Sequence, residues 1–425
     1  MNSSACSSVP AADPTMTALP SLKPAAASAR PGAPARPGSE RALDERRARL
    51  RATSTLAGDS LARWCASRIL VAGAGNLGAR YALEVARSGA SVHIVDPDRA
   101  QAANLGTSLG ADGVPKVEAL IAACDAIQPG LAGGSVCDVL HAGLSEIVRA
   151  DLLVDSTDDA DLALPLTQIS NGLGVPLLRL ALDGSGQREL GRVLVSHGAG
   201  GHACQICSYS LADLQSRHAR TACPGAQSPP HRPTLAGGAL GMAVAGLGLL
   251  QSQRLLGGRD IDLALDREIL LDLNAMQCLS LRQQRSEACL SGHRRWQVLR
   301  LPAHAVRAPV ATLFEAARDV LGGGGPRDTQ SVVLEPFAHP LCLEAVCSCG
   351  GRVARTGTRW AATPVCPDCG AATSWRTELQ IPRFDEAAAA ELGISETSLQ
   401  DLGLPEAGAL VAARLGTRTV HLLID

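Results

Sequence analysis

Residues 68–98 read RILVAGAGNLGARYALEVARSGASVHIVDPD. Ile69, Leu70 and Val71 form a short unbroken apolar run, the pattern of a parallel strand buried on both faces. Gly73, Gly75 and Gly78 follow at G-x-G-x-x-G spacing. A helix is expected from about Asn76 to Ser88, ended by Gly89. A second strand, Ser91 to Val95, then delivers Asp96. Glycines let the backbone approach a phosphate, and a helix N-terminus offers free N–H groups and the positive end of a dipole. An acid after the second strand is placed to bond a ribose hydroxyl. Strand, glycines, helix, strand and acid in this order predict an α/β nucleotide-binding domain with a Rossmann-like, doubly wound sheet. The motif does not specify which nucleotide.

Downstream, Asn104 and Lys116 are the notable polar residues, and Lys116 opens a helix with Val117, Leu120 and Ile121 on one side. Asp151 to Asp155, DLLVD, reads as a third buried strand and runs into Ser156, Thr157, Asp158 and Asp159. Acids at the C-terminal end of a parallel strand sit where open α/β sheets bind ligands. Val175–Leu182 and Arg192–Ser196 read as further strands.

The cysteines fall into close pairs. Cys204 and Cys207 form C-x-x-C, a metal-ligand spacing. Cys347-Ser-Cys349-Gly and Cys366-Pro-Asp-Cys369-Gly predict a zinc ribbon, with glycine permitting the tight turn at each knuckle. Cys342 and His339 lie nearby, which leaves the ligand choice in the first pair open. Cys223 lies in the polar, Pro-rich stretch RTACPGAQSPPHRP, with His218, Arg220 and His231 close in sequence. A neighbouring cation would favour its thiolate and make it a candidate nucleophile.

The 425 residues suggest two or three domains. A formal charge of −2 argues against general nucleic-acid or membrane-surface binding, and 2% aromatics argue against base-stacking platforms. Fourteen cysteines without an apolar signal segment in residues 1–40 point to thiolate–metal sites in a reducing cytoplasm. The uncharged run Thr234–Gln253 has an apolar core, Leu235–Leu250, shorter than the ~20 residues of a membrane span. It reads as a buried helix, and its small residues suit close packing in a dimer interface. Residues 1–43, dominated by Ala, Ser and Pro, are expected to be disordered. Residues 44–300 are expected to form the nucleotide-binding domain, and 301–425 a small α+β zinc-ribbon domain. In the latter, Pro309–Gly322 suits a helix, Glu386–Leu402 one or two helices, and Leu410–Leu415 with Thr419–Ile424 a strand pair.

Residues 44–296 resemble the ThiF/MoeB/HesA family, relatives of the ubiquitin-activating enzymes. The resemblance rests on VAGAGNLG, VDPD followed by Asn104-Leu105, Gly113-x-x-Lys116, Gln128-Pro129 and VDSTDD. Gly191-Arg192-Val193 before Cys204-Gln-Ile-Cys207, then Cys223 and the small-residue helix after Pro233, continue it in the same order. It implies Mg²⁺–ATP-dependent adenylation of the C-terminal carboxylate of a ubiquitin-like or sulfur-carrier protein, by a homodimer. Such chemistry needs positioning and charge neutralisation more than covalent help. By resemblance, Lys116 would hold phosphate oxygens, Asp158 Mg²⁺, and Asp96 and Asn104 the ribose and phosphates beside the glycine loop. Cys223 would carry a thioester or sulfur, and Cys204, Cys207, Cys289 and His293 would hold a structural zinc. His293 replaces the family's fourth cysteine, since Gly292 stands at that position.

The chain also departs from the family. Gly106, Thr107 and Ser108 replace an Asn-Arg-Gln run, Asp159 replaces an asparagine, and an arginine is missing near Ala163. Fewer cations at an α-phosphate site weaken binding or catalysis, which keeps an inert, partner-binding member of the family as an alternative. An NAD(P)-dependent oxidoreductase is the other alternative, disfavoured because hydride transfer needs neither Lys116, Asp158 nor the cysteines.

Overall fold

The computed structural model describes residues 45, 47–102, 109–141, 144–184, 189–197, 201–210, 212, 237–259, 264–322 and 331–425. Residues 1–43, Asn104 and Cys223, each the subject of an expectation, lie outside them. Arg46–Asp425 forms one compact unit.

A short helix α1 (Ser60–Ala66) leads into strand β1 (Arg68–Ala72), whose Ile69, Leu70, Val71 and Ala72 are wholly buried. Helix α2 (Asn76–Ser88) and strand β2 (Ser91–Val95) follow with the expected limits. Gly89, left-handed at φ 92°, closes α2 by returning its amide to Val85 and Ala86. Helix α3 (Lys116–Ile127), strand β3 (Ala132–Ser135), helix α4 (Leu144–Val148), strand β4 (Leu152–Asp155), helix α5 (Ala163–Leu173), strand β5 (Leu177–Gly184) and strand β6 (Glu189–Ser196) come next. Helix α6 (Gly238–Leu256) and the hairpin β7 (Arg267–Asp272) and β8 (Gln277–Arg282) complete this half.

The eight strands form one sheet in the order β3-β2-β1-β4-β5-β6-β7-β8. Pairing is parallel from β3 to β5 and antiparallel from β5 to β8. The order reverses at β1, as a doubly wound sheet requires. Strand β3, AGGS, carries no apolar run and is invisible to periodicity. Its Gly134 is imposed by packing: a Cβ there would lie 2.6 Å from Val117 Cγ1 on α3. Helix α6 is longer than its apolar run and extends to Leu256, past Gln253 and Arg254. Two of its glycines pack within the chain. A Cβ at Gly241 would meet Asn76 of α2 at 2.5 Å, and one at Gly248 would meet Leu180 of β5 at 2.6 Å.

The C-terminal half begins with β9 (Val298–Leu301), so the expected boundary at 300/301 falls inside a strand. Helix α7 (Val310–Leu321), strands β10 (Val333–Pro336), β11 (Leu341–Val346) and β12 (Arg352–Gly357) follow. Then come β13 (Ser374–Trp375), β14 (Gln380–Ile381), β15 (Phe384–Asp385), α8 (Glu386–Glu391), β16 (Ala409–Leu415) and β17 (Arg418–Ile424). Of the one or two helices expected over Glu386–Leu402, one forms, α8. Asp385 caps it by accepting the Ala388 amide at 2.9 Å, and Gly393, at φ 67°, follows it. The second sheet runs β15-β10-β16-β17-β9, antiparallel except for β9 on β17. Val310, Leu313, Phe314 and Ala317 of α7 share its larger core. Leu410 and Leu423 instead join a buried cluster with Leu70, Leu153, Ile147 and Ile169 of the first half. Trp296 bonds this seam, stacked on His421 with ring centroids 4.2 Å apart and pressed against Gly172 of α5.

Candidate active site and metal centres

A cavity of about 590 Å³ opens where β1, β2 and β4 end, beside β5, and Gly73, Gly75, Asp96, Lys116, Asp158 and Arg179 all line it. All but Arg179 are among the candidate site residues read from the sequence. Gly73, at φ 96°, takes a conformation that L side chains rarely adopt. Gly75 caps α2, and a Cβ there would meet nothing within 4 Å, so the backbone is bare toward the cavity. Gly78 does not line the cavity. Its missing side chain lets α2 close on the loop, since a Cβ would lie 1.9 Å from the Gly73 carbonyl oxygen.

Asp96 is 6% exposed and holds the glycine loop. Its Oδ2 accepts the Ala74 amide at 2.6 Å and its Oδ1 the Asp98 amide at 2.8 Å. Burial pushes the carboxyl upward, and those two amide bonds oppose the shift. Lys116 sits at the start of α3, where its amide donates to the Asp98 carbonyl and its Nζ to Asp98 Oδ2 at 2.8 Å. Asp98 therefore shares this cation, a partner that motif reading did not select. Asp158 is exposed on the loop after β4, the position from which a carboxylate can meet Mg²⁺.

Sequence reading placed Asp155 among the acids at the end of this strand but did not single out its partner Arg179. Asp155 is fully buried at the end of β4. Its Oδ1 accepts the Thr157 amide at 3.1 Å and hydroxyl at 2.7 Å, which shapes the turn toward Asp158. Its Oδ2 accepts Arg179 Nη1 at 3.0 Å. The signal was a lone arginine inside the apolar strand VPLLRLAL, which a count of apolar residues passes over.

Cys204, Cys207, Cys289 and His293 converge, with their ligand atoms all within 4.8 Å of one another. Cys204 Sγ lies 3.8 Å from Cys207 Sγ and 3.6 Å from Cys289 Sγ, and His293 Nε2 lies 3.1 Å from Cys207 Sγ. Four ligands at the usual zinc–sulfur distance of about 2.3 Å stand about 3.8 Å apart in a tetrahedron, so the set fits such an ion. Hydrogen bonding with the Cys204 thiol lowers the Cys289 thiol.

Cys347, Cys349, Cys366 and Cys369 form the second set. Cys347 and Cys369 are 3.5 Å apart at sulfur, and Cys349 and Cys366 3.6 Å. The first pair sits in the β11–β12 turn. Gly350 and Gly370, at φ 92° and 73°, return their amides to Cys347 and Cys366 at 2.9 Å. Cys342 is buried against Trp375 and Ala361, and its sulfur accepts from Gln380. His339 meets His141 instead, 3.3 Å away. Neither belongs to the quartet, which resolves the choice that spacing left open. Among the described residues every cysteine is a free thiol.

Residues 48–291, more than half of the chain, match the ThiF family. No curated protein matches the sequence. Several solved structures are similar to it. E. coli MccB with ATP has a TM-score of 0.45 and 15% identity, over 55% of this chain and 68% of that one. The microcin C7 biosynthetic enzyme MccB with N-formylated MccA gives 0.47 and 16%, over 60% and 76%. PaaA gives 0.46 and 16%, over 57% and 84%. No helix among the described residues is long and apolar enough to cross a membrane.

Proposed function

The chain belongs to the ThiF family, and on that premise we propose that it is an ATP-dependent adenylating enzyme acting on the C-terminal carboxylate of a peptide or protein. A carboxylate oxygen attacks the α-phosphorus, the bond to the β-phosphate oxygen breaks, and pyrophosphate leaves. The observation that carries the reading is a single cavity lined by the glycine loop, Lys116 and Asp158. Lys116 would neutralise phosphate charge, and Asp158 would hold Mg²⁺, which would supply further charge neutralisation. Asp96 fixes the loop through Ala74 and keeps lone pairs for a ribose hydroxyl.

The acyl substrate is a ubiquitin-like or sulfur-carrier protein. Cys223 is the proposed acceptor of the activated acyl group or sulfur. Zn²⁺ would be structural at both sites, the Cys204/Cys207/Cys289/His293 set and the Cys347/Cys349/Cys366/Cys369 set, since four protein ligands leave no open position. Thiolate–metal ligation at these sites suits a reducing cytoplasm. The active form is a homodimer. Exposed Met276, Leu279 and Leu281 on the uncovered β7–β8 hairpin support that reading.

The test is ATP–pyrophosphate exchange with candidate carrier proteins. Lys116→Ala and Asp158→Ala should each cost about a hundredfold in exchange rate. Cys223→Ala should spare exchange and abolish transfer. Firm partner binding without exchange would instead establish an inert, partner-binding member. Tight NADH binding with no response to ATP would move the chain to the oxidoreductases.

A further inference from the structure

We propose that Arg179 is a phosphate-binding residue of the cavity, held in its working position by Gln205 from the knuckle that carries Cys204 and Cys207. The assignment rests on the nucleotide reading above. Arg179 lies on β5 between Leu178 and Leu180, each 1% exposed or less. Its side chain lines the cavity beside Ser156 and Thr157.

One nitrogen of the guanidinium is tied down. Nη1 donates to Asp155 Oδ2 at 3.0 Å and to Gln205 Oε1 at 3.2 Å. Nε and Nη2 have no partner among the described residues. They are the donors left to meet a ligand. A guanidinium presents its donors in a planar fork that matches phosphate oxygens. β1, with the glycine loop, and β5, with Arg179, flank β4 on either side, so loop and fork approach one cavity from opposite strands.

The tie has a fixed direction. Gln205 is 4% exposed, and its Nε2 donates to the Ala163 carbonyl at 2.9 Å and to Thr167 Oγ1 at 2.7 Å. Thr167 Oγ1 spends its own proton on the Ala163 carbonyl at 2.6 Å, so it accepts from Gln205. The amide therefore cannot flip, and Oε1 must face Arg179. Gln205 stands in the short 3₁₀ turn Gln205–Ser208, beside Cys204, so the knuckle's backbone sets where Oε1 lies. A buried ion pair is weak evidence of stabilisation in itself. Its use here is to aim the two donors that remain.

The experiment is calorimetry on the full chain with Mg²⁺–ATP, AMP and adenosine. Arg179→Met should weaken ATP and AMP roughly tenfold to a hundredfold and leave adenosine unchanged. Arg179→Lys keeps a cation for Asp155 but loses the fork, and should fall between. Gln205→Leu should weaken ATP and AMP severalfold with adenosine unchanged, the signature of a positioning residue. Because Arg179→Met strands a buried carboxylate, Arg179→Met with Asp155→Asn serves as the folded control, checked by thermal melting. Equal ATP and AMP affinity in that double variant and the wild type would overturn the assignment. So would an equal loss of adenosine, which would make Arg179 a structural residue. A wild type that binds no adenine nucleotide would overturn the nucleotide reading and this assignment together.

Discussion

The carboxylate of Asp96, at the end of β2, accepts the amide of Ala74, in the loop after β1, at 2.6 Å. Two adjacent parallel strands are thereby clasped at the point where the glycine loop must keep its shape. Removing the acceptor leaves a buried amide unsatisfied. Asp96→Ala should cost about 1–3 kcal/mol of stability and weaken ATP further than its stability loss implies. Asp96→Asn retains one acceptor oxygen and should lie between. Urea melts and ATP titrations check this, and an unchanged Asp96→Ala would remove the clasp from the account.

Two glycines of the motif should separate stability from binding. A Cβ at Gly78 would stand 1.9 Å from the Gly73 carbonyl oxygen. Gly78→Ala should therefore cost roughly 3 kcal/mol or fail to fold. A Cβ at Gly75 meets nothing within 4 Å, and its φ of −79° suits alanine. Gly75→Ala should melt like the wild type and bind ATP at least about tenfold more weakly, because the methyl occupies the phosphate approach. Intact ATP binding by folded Gly75→Ala would mean the phosphates lie elsewhere.

Elemental analysis of protein purified without chelators should find about two zinc ions per chain. Cys289→Ser and Cys366→Ser should each lose one. The first should also disturb the adenine-nucleotide pocket, since Gln205 lies beside Cys204 and touches Arg179. The second should leave nucleotide binding intact while unfolding the β11–β12 turn. A chain with no zinc in either quartet would refute both centres.

Acid should destabilise the fold through two buried histidines. Burial lowers His339 to about 4 and His421 to about 4. An unfolded histidine titrates near 6.5, so between these values the unfolded chain holds more protons and stability rises with pH. Their contribution is complete above about 6.5 and is lost as pH falls toward 4. Moving from pH 7 to pH 5 should cost up to about 2 kcal/mol for each. His421 faces Trp296, and His339 faces Phe337, His141 and Trp360, with Arg359 and Asp138 beyond. Denaturant melts at the two pH values should differ less in a variant with His339→Gln and His421→Phe. An equal difference would assign the acid sensitivity to other groups.

Local rules fixed much of this protein before any tertiary contact was known. The apolar run Ile69–Val71, the glycine spacing and Gly89 suffice for β1, α2 and its end, because burial, positive φ and helix capping act within a few residues. Cysteine pairs with following glycines likewise announce metal knuckles, since ligand spacing is a local constraint. The ThiF-family match of residues 48–291 takes in the glycine motif and the Cys204–Cys207 knuckle. What sequence could not supply was partnership across the chain. Strand β3 forms by parallel pairing with β2 and leaves no room for a side chain at Gly134 under α3, which AGGS does not announce. Val298–Leu301 joins the C-terminal sheet because β17 accepts it as a parallel neighbour. Arg179 gains a role only when β4 brings Asp155 beside it and the knuckle 26 residues later brings Gln205. A buried charge is defined by what surrounds it, and only the folded chain assembles those surroundings.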